Sequence, residues 1–263
     1  MGLRSRGEGL LPTRAAAPAG RRLVGEVDHC RWPEDDHGPI GVAGCGHAKL
    51  GRVRYRPLTP DLLVRELAEW VGRRPQARPR IGIDGFAEAG AADLADAVAE
   101  RLRELGRPVI RASTRWWWRA ASLRLELGRT DADMLRHGWV DTAALRRELL
   151  EPVAVGRAAG YLTRLRDPVT DRAIRDDRLA VPDGAVVLVD GPFLLSDPAG
   201  LDAVVHLQLS PAALARALPD ERGWWVAAYR SYLADERPVD RADAVIAYDH
   251  PAVPALAWRP GPS

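Results

Sequence analysis

One residue type is nearly missing from this sequence. Of the 38 basic residues in the 263-residue chain, 37 are arginines and one is a lysine, Lys49, and asparagine does not occur at all. Lysine and asparagine both use AT-rich codons, so a GC-rich coding sequence would explain the bias. The shortage still has a chemical consequence, because any mechanism that needs a lysine amine has only Lys49 to use.

Cysteines and long apolar runs are also scarce. Cys30 and Cys45 are the two cysteines, which is too few for a disulfide framework in a chain of this length. No apolar run reaches the roughly 18 to 20 residues that span a bilayer. Residues 1–20 lack the continuous apolar segment of a signal peptide. We therefore expect a cytoplasmic protein with no membrane partner.

The charge is nearly balanced, since 38 basic and 36 acidic residues give a formal net charge of +2 at pH 7. So small an excess argues against a dedicated nucleic-acid binder. Hydrophobic residues make up 46% of the chain, which is enough for one large domain with a buried core. Composition alone identifies no protein partner.

Residues 1–52 differ from the rest of the chain, because glycine, proline, arginine and alanine dominate and no apolar periodicity runs through them. We predict a poorly ordered N-terminal extension here. The segment contains five potential metal ligands, which are His29, Cys30, His37, Cys45 and His47. Their spacing matches no common zinc site. An unstructured extension is therefore preferred, and a metal-binding regulatory segment is the alternative.

Residues 53–263 alternate between buried strands and amphipathic helices. Apolar runs without polar alternation predict strands at 80–84, 108–112, 185–190, 203–209 and 243–248. Helical periodicity separates the runs, and Thr59-Pro60-Asp61 is typical of the start of one such helix. This order predicts an α/β domain, a parallel sheet with helices on both faces. Such sheets bind ligands at the carboxyl ends of their strands, here after Asp84 and Asp190.

The segment after the first of these strands opens directly into a helix. In a P-loop, two glycines five residues apart are followed by a lysine that reaches phosphate and a hydroxyl that holds magnesium. Gly85 and Gly90 have that spacing, but the next two residues are Ala91 and Ala92. Glu88 would also oppose a polyphosphate through its charge. A tight strand-to-helix turn explains two glycines equally well, so both interpretations stay open.

This loop and several later segments resemble the uridine kinase-like P-loop nucleoside kinases of the actinobacterial type. The later segments are GRPVIRAS at 106–113, DTAALRRELLEP at 141–152, DPVTDR at 167–172, VLVDGPFLL at 187–195, YLADERP at 232–238 and RADAVI at 241–246. Their order and spacing together carry the resemblance, which spans about residues 79–249. It implies a P-loop NTPase fold for residues 53–263.

The resemblance implies a kinase that passes the γ-phosphate of ATP, with the help of Mg²⁺, to a nucleoside hydroxyl. The implied phosphate loop, which contacts the cofactor, consists of Gly85, Phe86, Ala87, Glu88, Ala89, Gly90, Ala91 and Ala92. The family's acidic residue at the end of a later strand corresponds to Asp190, which is the catalytic candidate. The family's catalytic acid lies in a Ser-x-Asp-Asp-Phe-like stretch, where residues 113–118 of this chain read STRWWW.

Three departures from the family coincide, in the loop lysine, the magnesium hydroxyl and the acid after Ser113. No lysine occurs in residues 53–263, so no shift of the alignment supplies one. Phosphoryl transfer depends on positioning and on neutralising charge, and we therefore expect it to be slow or absent. The sequence predicts a weak nucleotide or nucleoside binder, a pseudokinase. The alternative is an active ATP-dependent nucleoside or small-molecule kinase in which Asp190 and arginines compensate.

Further site residues are candidates with structural alternatives. Asp84 and Asp190 could hold a divalent ion through water, although Asp190 equally fits the cap of a turn at the strand end. Trp116 and Trp117 follow the second strand, where they could stack on a nucleobase. Three consecutive tryptophans cannot all face one pocket, so core packing is preferred for at least two of them. The candidate substrate-binding arginines are Arg124, Arg129 and Arg222. A solvated helix face is the alternative for such arginines.

Overall fold

The structure is a computed structural model that describes residues 54–198 and 200–259. The predicted N-terminal extension and its potential metal ligands lie outside these residues, and the domain boundary at residue 53 stays a prediction. Seven strands form one sheet: β1 (Arg56–Pro57), β2 (Arg80–Asp84), β3 (Val109–Ser113), β4 (Val186–Gly191), β5 (Ala203–Gln208), β6 (Ala244–Ala247) and β7 (Ala255–Trp258). Their order across the sheet is β1-β7-β6-β5-β2-β4-β3. All five predicted strands are confirmed as β2 to β6.

The sheet is mixed rather than purely parallel. Strands β2 to β6 run parallel to one another, as the sequence predicted. Strand β7 pairs antiparallel with β6, and β1 pairs antiparallel with β7. Only residues 248–254 join β6 to β7, and a parallel crossover needs roughly a dozen residues or more. The chain therefore turns back as a hairpin at this edge.

The helices cover both faces of the sheet. They are α1 (Pro60–Gly72), α2 (Ala91–Glu104), α3 (Ala121–Arg124), α4 (Thr142–Leu145), α5 (Glu151–Val155), α6 (Pro211–Ala217), α7 (Trp225–Glu236) and α8 (Pro238–Arg241). A π-helical turn, Arg146–Leu150, continues α4 into α5. Helix α1 starts as predicted, because the Thr59 hydroxyl accepts a 3.3 Å hydrogen bond from the Leu62 amide. No described helix is long and apolar enough to cross a membrane.

Alternate residues of β4 belong to two different cores, one on each face of the sheet. Val186 and Leu188 pack in the core formed with α1, α2 and α7. Val187 and Val189 pack on the other face, in a core that includes Leu149 of the π-helical turn. Every residue of β4 is buried, because helices cover both faces of this interior strand. The predicted α/β layering is confirmed.

The carboxyl ends of three strands lie side by side at one edge of the sheet. The register pairs Ser113 at the end of β3 with Asp190 near the end of β4. It places Asp84, at the end of β2, between Gly191 of β4 and His206 of β5. The loops that follow β2 and β3 leave the sheet from this edge, and they carry most of the residues that the sequence singled out.

Candidate functional site

The loop after β2 forms a compact turn between strand and helix. The Gly85 amide donates a 3.0 Å hydrogen bond to the carbonyl of Gly191, which ties the start of the loop to β4. A short 3-10 turn, Ala87–Ala89, follows. Gly90 then has a φ of +96°, and a Cβ at this position would lie 2.9 Å from the ring of Tyr248. The left-handed backbone and the close ring both require glycine here.

The amides of this loop are bonded to the loop itself. Ala89 and Ala91 both donate to the carbonyl of Phe86, at 3.0 and 3.2 Å, and Gly90 donates to the carbonyl of Ala87 at 3.0 Å. A P-loop binds phosphate because such amides point into an open concavity and find their acceptors on the ligand. Three of the amides at the corresponding positions already have an acceptor within the loop, so the loop has the form of a closed turn.

Hydrophobic side chains fill the space beneath the loop. Ala91, at the position of the P-loop lysine, is fully buried, with 0% exposure. Phe86 is buried too, and its ring packs against Phe193, Tyr229 and Trp225 at centroid distances of 5.4, 5.7 and 6.0 Å. These rings belong to the segment after β4 and to helix α7. The loop is therefore held from below by an aromatic cluster.

Glu88, the acidic residue of the loop, forms an ion pair with Arg222. The guanidinium of Arg222 also lies over the ring of Trp225, with 4.9 Å between the guanidinium carbon and the ring centroid. Arg222 is a predicted substrate-binding residue, but its charge is engaged by a carboxylate and an aromatic face of the same chain. The pair connects the loop to the segment that precedes α7.

Asp84 is enclosed by hydrogen-bond partners. Its Oδ1 accepts a 2.9 Å bond from the amide of Leu194. Its Oδ2 lies 2.7 Å from both the Tyr232 hydroxyl, which donates to it, and Nδ1 of His206. Both carboxylate oxygens are thus engaged by protein groups, and the side chain is buried. The predicted role of Asp84 as a metal ligand does not fit this arrangement, because the carboxylate joins β2, β5 and α7 instead.

Asp190 is fully buried and paired with a cation. Nη1 of Arg111 lies 2.6 Å from its Oδ1, and the Ser113 hydroxyl donates a 3.1 Å hydrogen bond to its Oδ2. Burial raises the pKa of Asp190, and the charge and hydrogen bond of Arg111 offset part of that shift, as does the bond from Ser113. Arg111 also contacts Asp96, through Nε at 2.7 Å.

A cavity of about 710 Å³ opens beside this pair. Charged residues of both signs line it, namely Asp96, Arg111, Arg115, Arg164, Asp176, Asp177 and Asp190. Arg164 pairs with Asp176, with 2.6 Å between Nε and Oδ2. Within the described residues, Arg115 and Asp177 form no ion pair. The ring of Trp116 and the hydroxyl residues Ser113 and Thr163 also line the cavity.

The three consecutive tryptophans separate as the sequence analysis preferred. Trp117 is 1% exposed and belongs to the core with Val187 and Val189. Trp118 packs against Trp139, at a centroid distance of 5.0 Å. Trp116 remains at the cavity. The predicted contact of Trp117 with substrate does not fit this structure, because its side chain is buried in the core.

Two predicted substrate-binding arginines lie away from the cavity. Arg124 is buried and pairs with Asp171 at 3.2 Å, and its guanidinium carbon lies 5.0 and 4.8 Å from the ring centroids of Trp118 and Trp139. These contacts explain its position as part of the packing. Arg129 is exposed and does not line the cavity. Neither residue lines the cavity, so these two predictions do not fit the structure.

Sequence reasoning missed three residues at this edge, which are Arg111, His206 and Tyr232. For Arg111 and His206, the available signal was a polar side chain inside a predicted buried strand. Arg111 and His206 interrupt the apolar runs of β3 and β5. Tyr232 lies on the buried face of α7. Burial raises the pKa of the Tyr232 hydroxyl, and the neighbouring charge of Asp84 raises it further, so the group stays a hydrogen-bond donor.

Solved structures share this architecture. A structure titled as a possible uridine kinase from Bacillus stearothermophilus has a TM-score of 0.57 and 20% identity, over 69% of this chain and 96% of its own. The chain has the uridine kinase-like P-loop fold. The YGR205w protein has a TM-score of 0.52 and 11% identity, over 77% of this chain and 100% of its own. No family model and no curated protein matches the sequence.

The residues of this chain do not fit the magnesium ion that P-loop enzymes use. There the ion is held by a loop hydroxyl and by an acid at the end of a nearby strand. Here the loop position is Ala92, which has no side-chain oxygen, and the acid, Asp190, is paired with Arg111. The loop amides fit a polyphosphate no better, because three of them are bonded within the loop.

Proposed function

We propose that this chain is a non-catalytic binding protein built on the uridine kinase-like fold, and that its cavity takes a nucleoside or nucleotide. The closed phosphate loop carries the first part of the proposal, since its amides donate to the carbonyls of Phe86 and Ala87. The residues at two positions of the family pattern also support the absence of catalysis. Ala91 is buried where a P-loop has its lysine, and Arg115 stands where the family's Ser-x-Asp stretch has its first acid.

The lining of the cavity supports the second part. Its volume of about 710 Å³ lies within the range of small-molecule pockets. The Trp116 ring offers a stacking surface for a base, and Thr163 offers a hydroxyl for a ribose or base oxygen. The Ser113 hydroxyl donates to Asp190, and its oxygen can accept from a ribose hydroxyl. The similar structure from Bacillus stearothermophilus is titled as a possible uridine kinase, which makes pyrimidine nucleosides the first ligands to test. A cytoplasmic location is part of the same proposal.

Loss of phosphoryl transfer follows from the missing charges. The reaction needs cations around the transferred group and a group that orients the acceptor hydroxyl. This chain has neither a loop lysine nor a loop hydroxyl, and it presents Arg115 in place of the acid. Removing one such electrostatic group typically costs about 10²- to 10³-fold in rate. Asp190 alone does not replace three of them.

Calorimetric titration of the full chain with uridine, cytidine, UMP and ATP tests binding. We expect a pyrimidine nucleoside or its monophosphate to bind, and Trp116→Ala to weaken that binding by about 5- to 150-fold, since a stacked base contributes roughly 1 to 3 kcal/mol. The matched control is Trp70→Ala, because Trp70 is also half-buried but packs against Trp258, away from the cavity. Equal loss in both variants, or no binding by the wild type, would contradict the proposed cavity.

A transfer assay tests the absence of catalysis. The wild type, ATP, Mg²⁺ and each nucleoside are incubated, and the monophosphate is measured by chromatography. We expect no product above background. Turnover near the roughly 1 to 100 per second that is typical of kinases would overturn the proposal and establish the active kinase, and loss of that turnover in Asp190→Asn would identify its acid.

A further inference from the structure

We infer that the guanidinium of Arg111 is the resident cation of the Asp190 site, and that it takes the place where the fold would otherwise hold a divalent metal ion. The ligand of the neighbouring cavity therefore binds without metal. The inference concerns the charge at one carboxylate and does not depend on which molecule fills the cavity.

The contacts of Arg111 fix the position of its charge. From β3, its Nη1 reaches Oδ1 of Asp190 at 2.6 Å and its Nε reaches Oδ1 of Asp96 at 2.7 Å. Its Nη2 donates to the carbonyl of Ala92 at 3.3 Å, and its Nη1 also reaches the carbonyl of Ala112. The guanidinium thus lies between the end of β4 and the first turns of α2, with oxygen acceptors on several sides.

Two of these contacts involve the positions that hold magnesium in P-loop enzymes. The ion there lies between the hydroxyl residue that follows the loop lysine and the acid at the strand end. Those positions here are Ala92 and Asp190, and Arg111 contacts the backbone carbonyl of Ala92 and the carboxylate of Asp190. One cationic side chain therefore contacts the backbone at one of these positions and the carboxylate at the other.

A divalent ion at this place would meet two obstacles. It would lie next to the positive charge of the guanidinium, which repels it. It would also find few free oxygen ligands, because Ala92 has none in its side chain and Asp84 has both carboxylate oxygens engaged. Magnesium demands nearly octahedral oxygen coordination and gives up its waters reluctantly. Arg111 instead pairs with the carboxylate of Asp190 through its own positive charge.

The arrangement also explains how a fully buried carboxylate is tolerated without metal. A buried charge is unfavourable unless it is paired and hydrogen-bonded. Arg111 supplies the ion pair at Oδ1 and Ser113 the hydrogen bond at Oδ2, and Arg111 is in turn held by Asp96. Replacing Arg111 by a small residue would leave the carboxylates of Asp96 and Asp190 facing the same opened space, which suits a divalent cation.

Titration of the full chain with Mn²⁺, followed by electron paramagnetic resonance of the free ion, tests the inference. We expect the wild type to show no saturable site at Asp190 at millimolar Mn²⁺. We expect Arg111→Ala to gain a site that binds at least tenfold more tightly, and Arg111→Lys, which retains a positive charge, not to gain it. Arg101→Ala is the matched control, because that arginine pairs with Glu104 at the far end of α2.

Asp190→Asn separates this site from any other part of the chain that binds the ion. Saturable Mn²⁺ binding by the wild type that disappears in Asp190→Asn would overturn the inference. A folded Arg111→Ala variant that gains no site would overturn it as well. If Arg111→Ala does not fold, the comparison of the wild type with Asp190→Asn still decides. None of these readouts uses nucleoside binding, so the proposed function and this inference succeed or fail separately.

Discussion

The Tyr232 hydroxyl donates a 2.7 Å hydrogen bond to Oδ2 of Asp84. This bond joins helix α7 to the end of β2, immediately before the phosphate loop. His206 reaches the same oxygen from β5, so three elements meet at one buried carboxylate. Asp84 was predicted to bind metal, but here it connects the sheet with helix α7. That helix follows Arg222, which forms the ion pair with Glu88 of the loop.

Removing the Tyr232 hydroxyl should destabilise the fold. Tyr232→Phe leaves the Asp84 carboxylate with one partner fewer in a buried place, and we expect the free energy of unfolding to fall by about 1 to 3 kcal/mol. Urea denaturation measures it. The control is Tyr55→Phe, whose hydroxyl bonds Gln208 at an exposed position, with an expected change within about 0.5 kcal/mol. Equal stability of Tyr232→Phe and the wild type would contradict the structural role.

The interior strands and the loop were within reach of sequence reasoning. Residues 185–189 form an uninterrupted apolar run, which has few alternatives to a buried strand, and the spacing of Gly85 and Gly90 identified the strand-to-helix turn. Strand β7 could not be predicted from the sequence. Its four residues, ALAW, are too short a run to indicate a strand, and they form one because they pair with β6.

Contacts between segments that are far apart in the sequence could not be predicted either, because they depend on how the elements pack together. The sequence showed Arg111 as a charge inside a strand, but not that Ala92, Asp96 and Asp190 would surround it. Each of those partners lies on a different turn or strand, and only the packing of α2 against β3 and β4 brings them together. The three consecutive tryptophans could be predicted in part. The sequence indicated that they cannot all face one pocket, but it did not identify the one that lines the cavity.

Introducing the P-loop lysine and hydroxyl at positions 91 and 92 should not restore phosphate binding by the loop. Ala91 is fully buried, so Ala91→Lys places a charged chain in the core, and we expect a loss of several kcal/mol in unfolding free energy. Ala92 is half-buried beside the cavity, and Ala92→Thr should change stability by about 1 kcal/mol or less. Thermal denaturation compares the two. A variant that carries both Ala91→Lys and Ala92→Thr, remains as stable as the wild type and binds ATP tightly would contradict this prediction, because the loop would then open readily.

Acid should weaken the pair between Asp202 and Arg80. Burial opposes the charge of Asp202, but the hydrogen bonds from the Arg80 side chain and amide outweigh it, and the pKa of Asp202 is lowered overall. Because the pKa of Asp202 is lower in the folded than in the unfolded state, its ionised form stabilises the fold. This stabilisation is fully present above the pKa of the unfolded state, about 3.9, and is lost as the pH falls through the pKa of the folded state.

We therefore expect the difference in unfolding free energy between the wild type and Asp202→Asn to be largest near neutral pH and to shrink below about pH 4. Urea denaturation at several pH values measures it. Asp183→Asn is the control, because Asp183 pairs with Arg78 through a fully exposed carboxylate, and such pairs contribute little at any pH. A difference for Asp202→Asn that grows in acid would contradict the assignment.

Two neighbouring tryptophans should differ in how much they stabilise the fold. Trp117 is buried in the core with Val187 and Val189, so Trp117→Ala leaves a cavity and should lower the free energy of unfolding by about 3 to 5 kcal/mol. Trp116 is half-buried at the cavity, with Arg164 stacked on its ring at 5.7 Å, and Trp116→Ala should cost about 1 kcal/mol. Urea denaturation of both variants measures the difference. If Trp116→Ala were the more destabilised of the two, the assignment of Trp116 to the cavity and Trp117 to the core would be reversed, and stacking at Trp116 would lose its basis.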